Sequence, residues 1–301
     1  MASASLLVRA AAESPPLVIG AYRLAIASLV VVPAALVLEH RRSPLWARAR
    51  VPVLQARAAI ISGLFLALHL GAWITSLSYT SIASSTVLVT TTPVMLTLLP
   101  ARWRGDPLAP LAVVGVLAAF AGGAMIALGD AGIDPGMAFG DALALLGAAA
   151  MVGHRITGRQ LMRDGLPPLT FLAIIYPVAA LSLVAVALPL GQPLAGFSAE
   201  TYTALIALGL GPQLIGHSAL NWALTRLSAV SVATAVTGGE PVGATLLGIL
   251  FLREIPTITQ TLGGVLVLGG TYLVLREEPG WSVPGEATAR RPGDSNWRRE
   301  G

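Results

Sequence analysis

One carboxylate stands alone inside a long apolar stretch of the sequence. The stretch VATAVTGGEPVGATLL, residues 232–247, has Glu240 as its only charged residue, and no Lys or Arg lies within ten residues of it. Pro241 follows directly, and because proline lacks an N–H and crowds the preceding turn, it frees a backbone carbonyl beside the carboxylate. Two interpretations fit: Glu240 is a protonated acid bonded to a neighbouring helix, or it binds a substrate ammonium or carries a coupling proton.

Two histidines and one arginine are further ionisable residues in apolar segments. Trp73 lies one helical turn after His69, and Asn221 lies about one turn after His217. Hydrogen bonding across helices and substrate contact are both compatible with this pattern. A metal site would need a carboxylate or a third imidazole at the spacing of metal ligands, and neither accompanies the two histidines. Arg23, in PPLVIGAYRLAIA, either reaches the membrane interface or anchors a carboxylate. We therefore expect no metal and no cofactor.

The composition is that of a protein embedded in a membrane. Of the 301 residues, 55% are hydrophobic and only 11% are charged, and the mean hydropathy is +0.76. A soluble domain carries about a quarter charged residues, so this chain lacks the polar side chains that would let it face water all round. The absence of cysteine excludes disulfides and thiolate metal ligands.

The sequence supplies nine apolar runs near the length of about 20 residues that a spanning helix needs. They lie at 16–38, 58–78, 82–100, 109–129, 137–154, 168–190, 202–224, 229–251 and 257–275. The predicted fold is therefore an all-α membrane protein with nine full transmembrane helices. Residues 277–301 are rich in Pro, Gly and charge and show no apolar periodicity, which predicts a disordered tail.

The arginines set the predicted orientation. If the loop after the first full span is cytoplasmic, sixteen of the 19 arginines lie on the cytoplasmic side and two, Arg9 and Arg253, lie outside. This distribution follows the positive-inside rule and places the C-terminus in the cytoplasm. Because the arginines are spread over many loops, no single loop forms the large basic face that nucleic-acid binding needs.

The chain contains an internal repeat at an offset of 148 residues. Residues 81–99 align without a gap with residues 229–247, and Pro93 falls on Pro241. The same offset pairs His69 with His217, Asp106 with Glu254, Gly115 with Gly263, and Gly122 with Gly270. Five helices separate equivalent positions, and because that number is odd, the second copy is inverted. Inverted repeats are typical of secondary transporters, whose substrate site lies near the midplane at the repeat interface.

The first repeat has a shorter start than the second. GMAFGDALALLGAAAMVGH, at 136–154, precedes PPL at 167–169, whereas only residues 1–14 precede the matching PPL at 15–17. We expect residues 1–14 to be the end of another helix, and we favour a late start of the sequence over a genuine nine-span protein. Arg9 and Glu13 make a signal peptide a poor alternative. The predicted repeats are 1–129 and 136–276.

Two further polar residues lie where a proline interrupts a predicted helix. Thr92 precedes Pro93 and is the repeat partner of Glu240, and Gln213 follows Pro212. Irregular backbone at membrane depth is tolerated only against protein or a cavity. The predicted substrate-binding residues are Arg23, His69, Trp73, Thr92, His217, Asn221 and Glu240, with Glu240 also the candidate for proton coupling.

Together these features resemble EamA-type members of the drug/metabolite transporter (DMT) superfamily. The matching stretches are PPLVIGAYRLAIA (15–27), LHLGAWITSLSYTSIASSTVLVTTTP (68–93) and EPVGATLLGILFLREIPTITQTLGGVLVLGGTYLVL (240–275), and the resemblance covers about residues 8–276. It implies ten helices in two inverted five-helix repeats and a plasma (inner) membrane carrier that often exports amino acids or other small metabolites by alternating access. Asp106 stands where the family commonly has Glu, and its place at the membrane edge predicts capping or loop pairing.

The expected function is a secondary transporter of small metabolites, not an enzyme. In an amino-acid exporter, Glu240 would face the ammonium group, and Arg23 or a histidine would face the carboxylate. A non-transporting membrane partner is the alternative. An intramembrane enzyme fits poorly, because no G-x-S-x-G occurs and the aspartates that cluster, Asp130, Asp134 and Asp141, are expected on an outer loop. The expected partners are a small-molecule substrate and the lipid bilayer, with a homodimer as an option and no nucleic acid.

Overall fold

The described part of the chain folds into helices without any strand. The structure, a computed structural model, describes residues 2–42, 53–98, 110–217, 219 and 239–276. The helices are α1 (Ser3–Ala10), α2 (Pro16–Arg42), α3 (Val53–Ser76), α4 (Ile82–Val89), α5 (Thr92–Thr97), α6 (Pro110–Ile133), α7 (Pro135–Arg163), α8 (Pro168–Ala187), α9 (Ala199–Leu208), α10 (Gly239–Leu252) and α11 (Ile258–Arg276). The predicted all-α class is confirmed.

Five of these helices are long and apolar enough to cross a membrane. The apolar segments are Pro16–Leu38, Leu54–Ser76, Pro110–Ile133, Pro135–Met162 and Pro168–Ala187, and Gly239–Leu252 and Ile258–Val274 are shorter apolar helices. Large apolar side chains cover the outside of the bundle: Leu29 is 76% exposed and Leu128 is 75% exposed. A continuous apolar surface of this kind is favourable against lipid and unfavourable against water. The chain is therefore a multi-pass membrane protein.

Three of the predicted spans have an irregular backbone, and one of them is 229–251, where α10 is π-helical from Gly248 to its end at Leu252. The span predicted at 82–100 is divided into α4 and α5, and α9 continues as a π-helix over Gly209–His217, which contains Pro212. A proline inside a helix cannot donate the backbone hydrogen bond of its turn, so a wider turn accommodates it. The end of the 82–100 span, the C-terminal part of 202–224, residues 229–238 and the tail 277–301 lie outside the described residues.

Glycines bring α6 and α11 into backbone contact. A Cβ atom on Gly115 would lie 2.5 Å from the carbonyl oxygen of Gly270, and one on Gly122 would lie 2.5 Å from that of Gly263. Any side chain at these positions would therefore collide with the facing backbone. The earlier glycine of α6 meets the later glycine of α11, so the two helices run antiparallel. Small residues that allow such close approach are common between membrane helices.

The other helices surround a shared core. α3 packs against α7 and α8, while α2 packs against α8 and the π-helical segment. The segment predicted as the end of an additional helix forms α1, which packs against α9. The start of α1 also lies against α10, because a Cβ atom on Gly243 of α10 would lie 2.8 Å from the Cβ atom of Ala2. α1 is therefore an integrated part of the bundle.

Polar contacts join the loops at one end of the bundle, which we call the Glu254 end. Arg9 Nη2 forms an ion pair with Glu254 Oε1 at 3.1 Å and donates to the Thr80 carbonyl at 3.0 Å. Glu254 Oε2 accepts from the backbone N–H of Ile82, the first residue of α4, at 3.0 Å. A carboxylate at this place complements the helix dipole. Glu254 therefore has the capping role predicted for its repeat partner Asp106, which lies outside the described residues.

An exposed carboxylate fastens the loop between α1 and α2 at the same end. Glu13 Oε2 accepts from Ser198 N and from Thr201 Oγ1, each at 2.8 Å. Hydrogen bonding from Ser198 and Thr201 lowers the pKa of Glu13 below its ordinary value. Glu13 thus stays ionised where it covers the N-terminus of α9, which favours negative charge.

Candidate functional site

Arg23, on α2, is enclosed by protein at the centre of the bundle. Its side chain is 2% exposed. Nε donates to Gln213 Oε1 at 2.7 Å, and the guanidinium lies over the ring of Trp73, with Cζ 5.7 Å from the ring centroid. A residue buried in this way does not reach the membrane interface, and the other predicted role, the anchoring of a carboxylate, stays a prediction.

His69 and Trp73 extend this arrangement along α3. Their rings are stacked, with centroids 6.4 Å apart and planes 5° apart. His69 Nδ1 lies 2.9 Å from the carbonyl oxygen of Gly147. Because a carbonyl can only accept, Nδ1 carries the hydrogen, and Nε2 remains an acceptor in the neutral ring. The bond also ties α3 to α7.

Glu240 and His217 are two more ionisable groups within electrostatic range of Arg23. Glu240, in the first turn of α10, interacts electrostatically with Arg23 and with Arg155 of α7. His217, at the end of the π-helical segment, interacts with Arg23, His69 and Arg155. Glu240 and His217 are partly exposed and Arg155 is exposed, whereas Arg23 is buried. Ionisable side chains from both predicted repeats therefore lie close to one another, Arg23 from the first repeat and Glu240 and His217 from the second.

We call this set the central cluster: Arg23, His69, Trp73, Arg155, Tyr176, Gln213, His217 and Glu240. Tyr176 belongs to it because its hydroxyl lies beside Gln213 and within electrostatic range of Arg23. Sequence reasoning missed Tyr176 and counted Arg155 among the loop arginines. The helix predicted to end at residue 154 continues to Arg163. A sequence prediction that extended this helix past residue 154 would have placed Arg155 on it. A tyrosine in an apolar helix carries no comparable signal.

One of the predicted binding residues, Thr92, is not joined to the central cluster by a hydrogen bond or ion pair among the described residues. The Thr92 hydroxyl donates to the carbonyl of Val89 in the turn before it, at 3.1 Å. No hydrogen bond or ion pair within the described ranges joins Thr92 to Arg23 or Glu240. Asn221 lies outside the described residues.

A second polar group, at the Glu254 end, corrects the sequence analysis. Asp130 and Asp141, expected on an outer loop, are fully buried within α6 and α7. The expectation was wrong because α6 ends at residue 133 and α7 begins at 135, which leaves only Asp134 between them. Asp130 accepts from Ser84 Oγ and from Gln260 Nε2, each at 2.8 Å. The Thr80 hydroxyl, 2.8 Å from Asp141 Oδ1, joins the second carboxylate to the network.

Fold and site together define a helical membrane protein with a buried arginine inside its bundle and further ionisable groups close to it. The model of the EamA-like transporter family matches residues 1–128 and 138–276. The chain belongs to this family, as its sequence features predicted. Fifteen solved chains match the fold. One, described as a crystal structure of a protein, gives a TM-score of 0.64 at 22% identity and covers 91% of this chain and 92% of that chain. No curated protein matches the sequence.

Proposed function

We propose that this protein is a secondary transporter that exports small metabolites, amino acids or related compounds among them, by alternating access. Membership of the EamA-like transporter family supports transport. The observation that carries the proposal is the central cluster, where the buried Arg23 lies within electrostatic range of the partly exposed Glu240 inside an apolar bundle. Buried charges are costly in a membrane and mark substrate or ion pathways. The partial exposure of Glu240 and His217 supports an opening beside them.

The helix contacts support the inverted repeat on which alternating access would depend. Gly115 and Gly263 are equivalent positions, as are Gly122 and Gly270, yet Gly115 meets Gly270 and Gly122 meets Gly263. A two-fold axis between the helices produces contacts exchanged in this way. Because the helices are antiparallel, that axis would lie in the membrane plane.

A second pair of contacts supports the same axis. α3 and α9 are equivalent in the predicted repeats, as are α7 and α1, and the packing of α3 on α7 is matched by the packing of α9 on α1. In this proposal the repeats 1–129 and 136–276 rock against each other around the central cluster. The protein would lie in the plasma (inner) membrane with its C-terminus in the cytoplasm.

The proposed roles follow from charge. Glu240 binds the ammonium group of an amino acid or carries the coupling proton, and Arg23 binds the carboxylate. His69, Trp73 and His217 line the pathway between them, and Thr92 and Asn221 are proposed to join them in another state of the transport cycle.

Exchange in liposomes tests this function. Reconstituted protein is loaded on the inside with unlabelled amino acids, and the entry of each labelled amino acid is followed. We expect exchange of at least one of them, and we expect Glu240→Gln to slow it about tenfold or more, because loss of a buried charge partner costs well over the 1.4 kcal/mol of a tenfold change.

Glu13→Gln is the matched control, since it makes the same chemical change at an exposed carboxylate of the Glu254 end. It should exchange at the wild-type rate. If no amino acid exchanges, the non-transporting alternative is favoured. If Glu240→Gln exchanges as fast as Glu13→Gln, Glu240 has no part in transport.

A further inference from the structure

Four polar atoms in the central cluster are buried without a hydrogen-bond partner among the described residues. They are Arg23 Nη1, Trp73 Nε1, Tyr176 Oη and Gln213 Nε2. None of the four side chains is more than 4% exposed. Buried polar groups are nearly always paired in folded proteins, because an unpaired one loses its bonds to water and gains nothing in return. Four such atoms in one site therefore indicate that something else binds there.

Four different segments supply these atoms to one place. Arg23 lies on α2, Trp73 on α3, Tyr176 on α8 and Gln213 on the π-helical segment. The 2.7 Å bond from Arg23 Nε occupies the Gln213 Oε1 oxygen, so the free part of that amide is its NH₂ group. The Trp73 ring lies under the guanidinium. The Tyr176 hydroxyl lies beside Gln213, but the two groups do not have the geometry of a hydrogen bond.

The chemistry of these atoms selects the ligand. The guanidinium, the indole N–H and the amide NH₂ can only donate hydrogen bonds, and the tyrosine hydroxyl can donate one as well. The partner must accept several bonds at once. It should also be negative, because the buried guanidinium of Arg23 is positive and forms no ion pair among the described residues. A carboxylate meets both requirements, and its two oxygens fit the planar guanidinium.

We propose that Arg23 Nη1, Trp73 Nε1, Tyr176 Oη and Gln213 Nε2 form a carboxylate subsite. This proposal rests on the proposed function, because the carboxylate would belong to the transported substrate. It goes further by making a carboxylate a requirement for binding and by assigning Tyr176 and Gln213, together with Trp73, to its recognition. Glu240 then serves the opposite, cationic end of a zwitterion.

Ligand-induced stabilisation tests the subsite without requiring transport. The unfolding temperature of the purified protein is measured in detergent with each amino acid and, in parallel, with its carboxamide, which has the same side chain and no carboxylate. A ligand that binds only the folded state raises this temperature. We expect at least one amino acid to stabilise the protein and its carboxamide to bind at least about tenfold more weakly, the loss expected when charged hydrogen bonds are removed.

Two tyrosine variants make the test specific. Tyr176→Phe should weaken binding of that amino acid about tenfold, because it removes one donor to a charged acceptor. Tyr22→Phe removes a hydroxyl on α2 that is already bonded to the Leu194 carbonyl at 2.9 Å, and should leave the affinity unchanged. If Tyr176→Phe does not fold, Trp73→Phe, which keeps an aromatic ring and loses the indole N–H, takes its place.

Several outcomes would overturn the subsite: equal binding of an amino acid and its carboxamide, unchanged affinity in Tyr176→Phe, stabilisation by inorganic phosphate alone, or no stabilisation by any amino acid. Its failure is distinguishable from failure of the proposed function. Carboxylate-dependent binding without exchange in liposomes would support the subsite and contradict transport. Exchange without a preference for the carboxylate would support transport and overturn the subsite.

Discussion

Replacing Gly270 with alanine is expected to lower the free energy of unfolding by about 1–3 kcal/mol, the usual cost of forcing an extra group into a packed interior. The new Cβ atom would collide with the Gly115 carbonyl and would lie 2.7 Å from the Ala119 backbone nitrogen. Because both obstacles are backbone atoms of α6, no rotamer change can relieve the contact. The unfolding temperature in detergent measures the effect.

Gly269→Ala is the matched control, one residue away on α11. Nothing in the described structure lies within 4 Å of a Cβ atom built at Gly269. Alanine also favours a helix over glycine by about 1 kcal/mol, so this variant should be at least as stable as the wild type. Equal unfolding temperatures for the two variants would show that α6 and α11 do not cross as closely as described.

Asp130→Ala is expected to destabilise the protein by about 2–6 kcal/mol. It would leave the Ser84 hydroxyl and the Gln260 amide as unpaired buried donors, and each such group costs about 1–3 kcal/mol. Asp134→Ala is the comparison, because Asp134 is exposed and its side chain accepts one described hydrogen bond, from the Gly136 N–H, as the N-cap of α7. Loss of a cap costs about 1 kcal/mol. An Asp130→Ala protein as stable as Asp134→Ala would contradict a buried network at the Glu254 end.

The sequence predicted the membrane class and the long helices, because apolar length is a local property. The sequence also indicated Glu240, Arg23 and His69 as candidate site residues, because an isolated polar residue is conspicuous in an apolar run. Pairing between distant segments is not local. The Arg23–Gln213 bond joins residues 190 positions apart, and only the fold brings them together.

Other features depended on backbone detail that composition does not encode. Asp130 was placed on a loop because the apolar run ended there, although the helix continues to Ile133. The single-residue connection at Asp134 then buries carboxylates that looked exposed. Likewise, Pro212 was expected to interrupt its helix, whereas the structure continues that helix as a π-helix of nine residues.

Under the proposed two-fold relation, the fold is nearly symmetric and its chemistry is not. The repeat partner of Glu240 is Thr92, and at the offset of 152 residues that aligns the two PPL motifs, Arg23 corresponds to Ile175. The histidines His69 and His217 are the only ionisable pair matched within the central cluster as described. Charges confined to one side would hold a zwitterion in a single orientation, with its ends at Arg23 and Glu240.

The orientation of the repeats can be measured directly, because the sequence contains no cysteine. Ala12 and Asp164 are equivalent at the offset of 152 residues, and both are exposed in the turns before α2 and α8. A single cysteine is placed at each position and treated with a membrane-impermeant maleimide. The inverted repeat predicts that Ala12→Cys is labelled in intact cells and Asp164→Cys only after permeabilisation. Labelling of both variants from the same side of the membrane would contradict it.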